Sequence, residues 1–278
     1  MSFRNIVLVC NLSRPQAAQQ AQVVAAFLHT QNCACTLLND YKELSAQPQA
    51  DLCISLGGDG TTLRCARQCA PLKIPVLSVN CGSLGFLSSC ETEETLSVLQ
   101  QILQGRYTLQ SRWLLQADIF RAGQPPVQGA LAFNDCVIKA AQSRAFVLHA
   151  HRNGTFFKQF YGDGVIVATP SGSTAYSLAA GGPIVEPQLD VWTVTSICPH
   201  SLADRALLLS AQTELTFVPQ FRNPADRATV SLDGQENFIL QHQDRVCVRR
   251  AACQAQLVTA DGFDFFARLH EKLDWGTR

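Results

Sequence analysis

Apolar residues follow two rhythms along this chain, and the change between them falls near residue 105. Up to that point short apolar runs alternate with stretches in which apolar positions recur every three or four residues. Asn5–Cys10 reads as a buried strand, and Pro15 then opens a helix carrying Ala17, Ala21, Val24 and Leu28 on one face. Runs at Cys33–Leu38, Asp51–Leu56 and Ile74–Val79 predict further strands, and helical spacing at Thr61–Ala70 and Thr92–Leu103 follows the last two. This alternation predicts a parallel sheet covered by helices, with ligands bound beyond the carboxyl ends of the strands.

Beyond Gly105 the runs become short and closely spaced. They lie at Trp113–Phe120, Ala130–Lys139, Phe146–Ala150, Thr155–Phe160, Gly164–Thr169, Val191–Cys198, Glu214–Val218, Ala228–Leu232 and Arg245–Arg249. Such a rhythm predicts an all-β region. Ser171–Ala180 interrupts it: the segment lacks alternation and ends in Gly181-Gly182-Pro183, which predicts a short helix over a site. At the end of the chain Asp264 is placed to cap a helix in which Phe265, Leu269 and Leu273 stack at four-residue spacing. The expected fold is therefore an N-terminal α/β domain with a parallel, Rossmann-like sheet (residues 1–105), followed by a larger all-β domain (106–261). The final helix (262–278) is expected to return to the first domain.

Composition removes several classes of function. Lys plus Arg and Asp plus Glu both number 22, so no basic surplus is available to neutralise a nucleic-acid backbone. With 47% hydrophobic and only 16% charged residues, the chain is far from the profile of disordered proteins. No apolar run approaches the roughly 18 residues of a membrane span. The first residues lack the apolar region of a secretory signal. A cytoplasmic protein with no membrane or nucleic-acid partner is expected. The 12 cysteines read as reduced core residues. Cys33 with Cys35 and Cys65 with Cys69 lack the second pair or the histidines that tetrahedral zinc requires, so no metal is expected on them.

Three segments carry candidate chemistry. Gly57-Gly58-Asp59-Gly60-Thr61 follows a predicted strand and opens a helix. Glycines around one acid leave backbone N–H groups and a positive helix end for phosphates. The loop lacks the lysine of a Gly-x4-Gly-Lys loop, so cationic charge must come from Arg64 or a bound metal. The same four residues also suit a tight turn in which Asp59 caps the helix. Asn80-Cys81-Gly82-Ser83-Leu84-Gly85-Phe86-Leu87, after the next strand, fits a second phosphate-covering loop or a structural turn. The third segment, Thr169 to Pro183, follows a buried strand and gathers hydroxyls, amides and Tyr176. It suits a nucleoside stacked on Tyr176; taken by itself, the segment reads rather as a capped helix with a core tyrosine. Asn134-Asp135 is a polar pair in an apolar run, where ribose hydroxyls would supply partners. Asp233-Gly234 reads as a hairpin turn. Pro199-His200-Ser201 lacks a nucleophile elbow, which argues against a hydrolase triad.

Taken together, Gly57-Gly58-Asp59-Gly60-Thr61, Asn80-x-Gly82-x-x-Gly85-Phe86-Leu87, Asn134-Asp135, Asp163-Gly164 with Thr169-Pro170-Ser171-Gly172-Ser173-Thr174-Ala175-Tyr176-Ser177, Cys198-Pro199-His200-Ser201 and Asp233-Gly234-Gln235 resemble the NAD kinase family. The resemblance covers about residues 50–240. Two positions depart from it: Ser171 stands where the family commonly has threonine, and Tyr161 where relatives often carry a basic residue. The resemblance implies phosphorylation of the 2′-hydroxyl of the adenosine ribose of NAD by ATP or another donor, with a divalent metal, usually Mg2+. It implies that Asp59 accepts the proton and that Gly60 contacts substrate by its backbone. Asn134, Asp135, Asp163, Thr174, Ala175, Tyr176, Ser177 and Gln235 would line the NAD site, and Arg64 and Arg144 would contact phosphates. It also implies a homodimer or homotetramer in which a neighbour completes the site. Two rivals remain: a lipid kinase of the same superfamily, which would need an apolar entry for acyl chains, and a non-catalytic dinucleotide sensor, which could dispense with Asp59.

Overall fold

In the computed structural model the residues described are 3–11, 14–82, 85–260 and 264–274. The chain divides into two compact units, Met1–Arg112 with Cys253–Arg278, and Trp113–Ala252.

The first unit contains β1 (Asn5–Cys10), α1 (Pro15–Thr30), β2 (Ala34–Leu38), β3 (Leu52–Gly57), α2 (Asp59–Leu72), β4 (Val76–Asn80), β5 (Cys90–Glu91) and α3 (Thr95–Leu103). β2, β1, β3 and β4 pair side by side, all parallel. β3 and β4 are buried along their whole length, which explains why they read as continuous apolar runs. α1 buries Ala17, Ala21, Val24 and Leu28, the stripe its spacing predicts. Pro15 starts it, where a missing N–H costs nothing. Three hydroxyls link α2 to the strands beneath it: Thr62 Oγ1 lies 3.0 Å from Ser55 Oγ and 2.6 Å from Ser78 Oγ, all buried.

The second unit takes up β6 (Thr108–Phe120), β7 (Val127–Ala132), β8 (Asp135–Ala140), β9 (Phe146–Arg152), β10 (Thr155–Gly162), β11 (Gly164–Ala168), α4 (Tyr176–Ala179), β12 (Val191–Ile197), β13 (Leu207–Ser210), β14 (Leu215–Gln220), β15 (Ala228–Leu232), β16 (Glu236–Leu240) and β17 (Arg245–Thr259). The first residues of β6 and the last of β17 belong to the α/β unit. One antiparallel group runs β10-β9-β14-β17, and a second sheet runs β13-β12-β11-β8-β15-β16. Alternate residues of both groups form one core, centred on Trp192 and its edge-on partner Trp113 at 4.7 Å. α5 (Phe265–Leu273) belongs to the first unit: Asp264 caps it by accepting the N–H groups of Phe266 and Ala267, Leu269 is buried, and Arg268 donates to Ser88 O.

The expected α/β-plus-β architecture is the observed one. Three local expectations change. Ala130–Lys139 is two strands, β7 and β8, broken at Phe133-Asn134. Ser171–Ala180 is a 3-10 turn (Ser171–Thr174) followed by α4, with Ala175 outside helical geometry. The strand expected at Arg245–Arg249 continues to Thr259, its later residues pairing with β4, while Arg249 and Arg250 form ion pairs with Asp118 and Asp190. All twelve cysteines are unpaired; Cys198 is exposed, and most of the others are buried.

Candidate active site

In the α/β unit the chain leaves β3 at Gly57 and enters α2 at Asp59. Gly58 is the N-cap, and no side chain caps the helix. Asp59 is half-buried and does not cap its own helix, so the simple tight turn is not what forms. Its carboxylate reaches across to the second glycine loop, where Oδ2 accepts the N–H of Phe86 (2.9 Å) and Oδ1 that of Leu87 (3.2 Å). Gly85 makes this approach possible, since a Cβ there would lie inside van der Waals contact with the Asp59 carboxylate. The two glycine loops thus form one structure around one acid. A cavity of about 370 Å³ opens beside it, bordered by Arg14, Asp59, Gly60, Arg64, Gly85 and Lys272. Three cations therefore border the same space as Asp59, a field suited to phosphates. Arg64 also lies over the Tyr41 ring, 5.4 Å from its centroid. Arg14 and Lys272 do not stand out in the sequence, because folding brings them from the start of α1 and from α5, remote from any glycine motif.

The β-rich unit builds a second cavity, of about 470 Å³, bordered by Asn134, Asp135, Ala175, Tyr176 and Asp233 among others. The break between β7 and β8 creates it. Asp233, in the hairpin between β15 and β16, accepts the N–H groups of Phe133 (2.9 Å), Asn134 (2.7 Å) and Asp135 (3.2 Å), so the strand's own donors turn away from the sheet. Thr169 holds the other side: Oγ1 donates to Phe133 O (2.7 Å) and its N–H to Asn134 O (2.8 Å). Gly172 packs so closely on Asn134 that a Cβ would collide with its carbonyl. Asp233 is the hairpin residue its sequence predicts, and it is also this clamp, which no local pattern announces.

Two polar groups in this cavity lack protein partners or carry an unusual charge. Asn134 Oδ1 is buried with no hydrogen-bond partner among the described residues. Burial, and then the nearby Asp233 carboxylate, raise Asp135 to about 7, so near neutral pH it is shared between its acid and carboxylate forms. Tyr176, which borders the cavity, is 41% exposed. The other predicted site residues divide. Thr174 and Gln235 are half-buried near this cavity's rim segments, while Ser177 is fully buried with its hydroxyl 3.0 Å from Thr195 Oγ1, supporting the turn from behind. Asp163 is exposed at the β10–β11 junction. Arg144 borders a different cavity of the same unit, about 400 Å³, with Tyr161 and His200, whose rings lie 4.7 Å apart.

A glycine-cradled acid among cations, together with a nucleoside-sized polar cavity beside an aromatic ring, defines a phosphotransferase acting on a nucleotide-like acceptor. Family comparison makes this specific. A family described as ATP-NAD kinase N-terminal domain matches residues 36–107, and one described as ATP-NAD kinase C-terminal domain matches 134–260. The NAD kinase of Geotalea daltonii is 40% identical, over 83% of this chain and 80% of its own length. That of Aromatoleum aromaticum is 36% identical, over 99% of this chain and 95% of its own. Yeast NADH kinase complexed with NADH shares the fold over 100% of this chain and 89% of its own, with a TM-score of 0.86 at 24% identity. The chain belongs to the NAD kinase family.

Proposed function

We propose that this enzyme transfers the γ-phosphoryl group of ATP, or of another phosphoryl donor, to the 2′-hydroxyl of the adenosine ribose of NAD, giving NADP. The observation that carries this reading is the Asp59 carboxylate, fixed by Phe86 and Leu87 in a cavity bordered by three cations. Phosphoryl transfer asks a protein mainly for position and charge neutralisation, plus one group to orient or deprotonate the attacking oxygen. Asp59 fills that last role, accepting the hydroxyl proton as the oxygen attacks phosphorus. Gly60 contacts substrate through its backbone, and Arg64 neutralises transferred charge. In the β-rich unit Asn134, Asp135, Ala175 and Tyr176 hold the nucleoside, with Asp163, Thr174 and Gln235 at its edge and Ser177 as scaffold. Arg144 is kept for a phosphate away from that cavity. Relatives bearing the name NAD kinase support the acceptor over a lipid, and the retained Asp59 supports an enzyme over a sensor.

The divalent metal implied by the family finds no cage of its own. Among the described residues no three His, Cys, Asp or Glu side chains converge, and both Asp59 oxygens already accept backbone N–H groups. A Mg2+ ion would therefore be carried chiefly by the donor's phosphates. Cytoplasmic placement is supported by twelve unpaired cysteines, and self-association as a dimer or tetramer by exposed apolar residues of the β-rich unit such as Phe156 and Ile239. No described helix is long and apolar enough to cross a membrane. The test is an assay of NADP formed from NAD and ATP by wild type and Asp59→Asn. NADP from the wild type and little from the variant is expected; equal rates would remove Asp59 from the mechanism.

A further inference from the structure

The cavity beside Asp59 has a neighbour in the same unit that the reaction just described leaves unused. About 460 Å³ in volume, it is bordered by Gln16 and Gln19 of α1, by Asn80 at the end of β4 and Gly82 just beyond it, and by Glu91 and Glu93. Asn80 is 2% exposed; its Nδ2 donates to Gly82 O (2.9 Å), but its Oδ1 has no hydrogen-bond partner among the described residues. A buried acceptor left unpaired is costly, so it marks where a ligand donor belongs. The backbone around it is braced, with Thr92 Oγ1 donating to Asn80 O (2.9 Å) and Gln20 Nε2 to Thr92 O (3.1 Å).

Arg14 joins the two spaces. It borders the Asp59 cavity, its Nη1 donates to Cys81 O (3.2 Å), and the same nitrogen presses on the α-carbon side of Gly82, which borders the second cavity. Their charges are segregated as in a nucleotide. Arg14, Arg64 and Lys272 surround the helix start, whereas carboxamides and two carboxylates line the neighbour. That lining repels phosphates but accepts hydrogen bonds from hydroxyls and an exocyclic amine.

We infer that the base and ribose of the phosphoryl donor occupy the cavity of Asn80, Glu91 and Glu93, with the donor's phosphates passing Arg14 onto the Gly57–Gly60 turn. Asn80 Oδ1 accepts from the exocyclic amine of adenine, and the glutamates accept from ribose hydroxyls. This rests on the reading that the turn takes the donor's phosphates.

Gln19→Trp, on the exposed side of α1, fills the cavity without touching the turn. With NAD saturating, its KM for ATP is expected to rise at least about tenfold, with kcat and the KM for NAD unchanged. The inhibition constant of inorganic tripolyphosphate against ATP should stay at the wild-type value. For the wild type, ITP, which lacks the amine, should show a KM several-fold above that of ATP. An unchanged KM for ATP in the variant, or a tripolyphosphate constant that rises in step with it, would overturn the base cavity alone. Tripolyphosphate that fails to compete with ATP in the wild type would overturn the phosphate placement, and the inference with it. As an independent readout, 8-azido-ATP with NAD saturating should label peptides spanning 15–30 or 88–94 in the wild type and not in Gln19→Trp; label confined to other segments refutes the inference.

Discussion

Each of the two units sets an aspartate beside a strand end, and the two are surrounded in opposite ways. Asp59, just past β3 in the α/β unit, is half-buried, with both oxygens met by backbone N–H groups and cations bordering its cavity. Asp135, at the start of β8 in the β-rich unit, is 4% exposed and sits near a second carboxylate, Asp233; the N–H groups around it are taken by that neighbour. One environment holds its carboxylate in place with two backbone N–H groups; the other pushes its carboxyl to about 7. The same residue type thus meets opposite surroundings in the two units, and the difference comes from where each loop sends its backbone donors.

Removing the carboxylate from the α/β unit should have the largest effect. Asp59→Asn is expected to lower kcat by at least about 100-fold, the low end for loss of a general base, while NAD still binds by calorimetry. A subtler break leaves the acid and disturbs its support. Gly85→Ala pushes a methyl group onto the Asp59 carboxylate, and kcat is expected to fall about 30-fold with the KM for NAD little changed; an intact kcat would show that the grip of Phe86 and Leu87 is dispensable. In the β-rich unit the equivalent support is Asp233. Asp233→Ala leaves three N–H groups without their acceptor and should cost about 2 kcal/mol in denaturant unfolding, together with a raised KM for NAD.

A change of pH sharpens the contrast further. The folded state holds a proton on Asp135 up to about pH 7, whereas the unfolded chain releases it near 3.8. Native protein therefore binds more protons than unfolded protein between these limits, and Asp135 makes stability fall as pH rises through that window. Asp135→Asn cannot ionise. Its melting temperature should match wild type near pH 4 and exceed it at pH 8 by the equivalent of about 4 kcal/mol; a constant gap would mean that Asp135 does not titrate there.

The parts of this architecture that rest on local periodicity were legible in the sequence. β1, α1 and the Asp264 cap all follow from residues within a few positions of one another. Edge strands were not: β13 and β16 each pair on one side only, expose alternate residues, and carry too little pattern to stand out from loops. Nor was the break at Phe133-Asn134, because the residue that causes it lies a hundred positions away. For the site, glycine-rich turns and hydroxyl runs announced themselves. Arg14, Lys272, the clamp of Asp233 and the orphaned oxygen of Asn80 did not, since each acquires its meaning from a distant partner or from the lack of one.

The uneven exposure of the cysteines has a practical consequence. Burial raises several of the thiols, Cys90 to about 12, and so suppresses the thiolate that electrophiles attack. Cys198, between β12 and Pro199-His200, stands in the open. A maleimide dye added briefly at neutral pH should therefore mark this molecule chiefly at one address, two residues from the His200 ring that faces Tyr161. The native chain thus comes supplied with a fluorescent reporter position that needs no engineered cysteine.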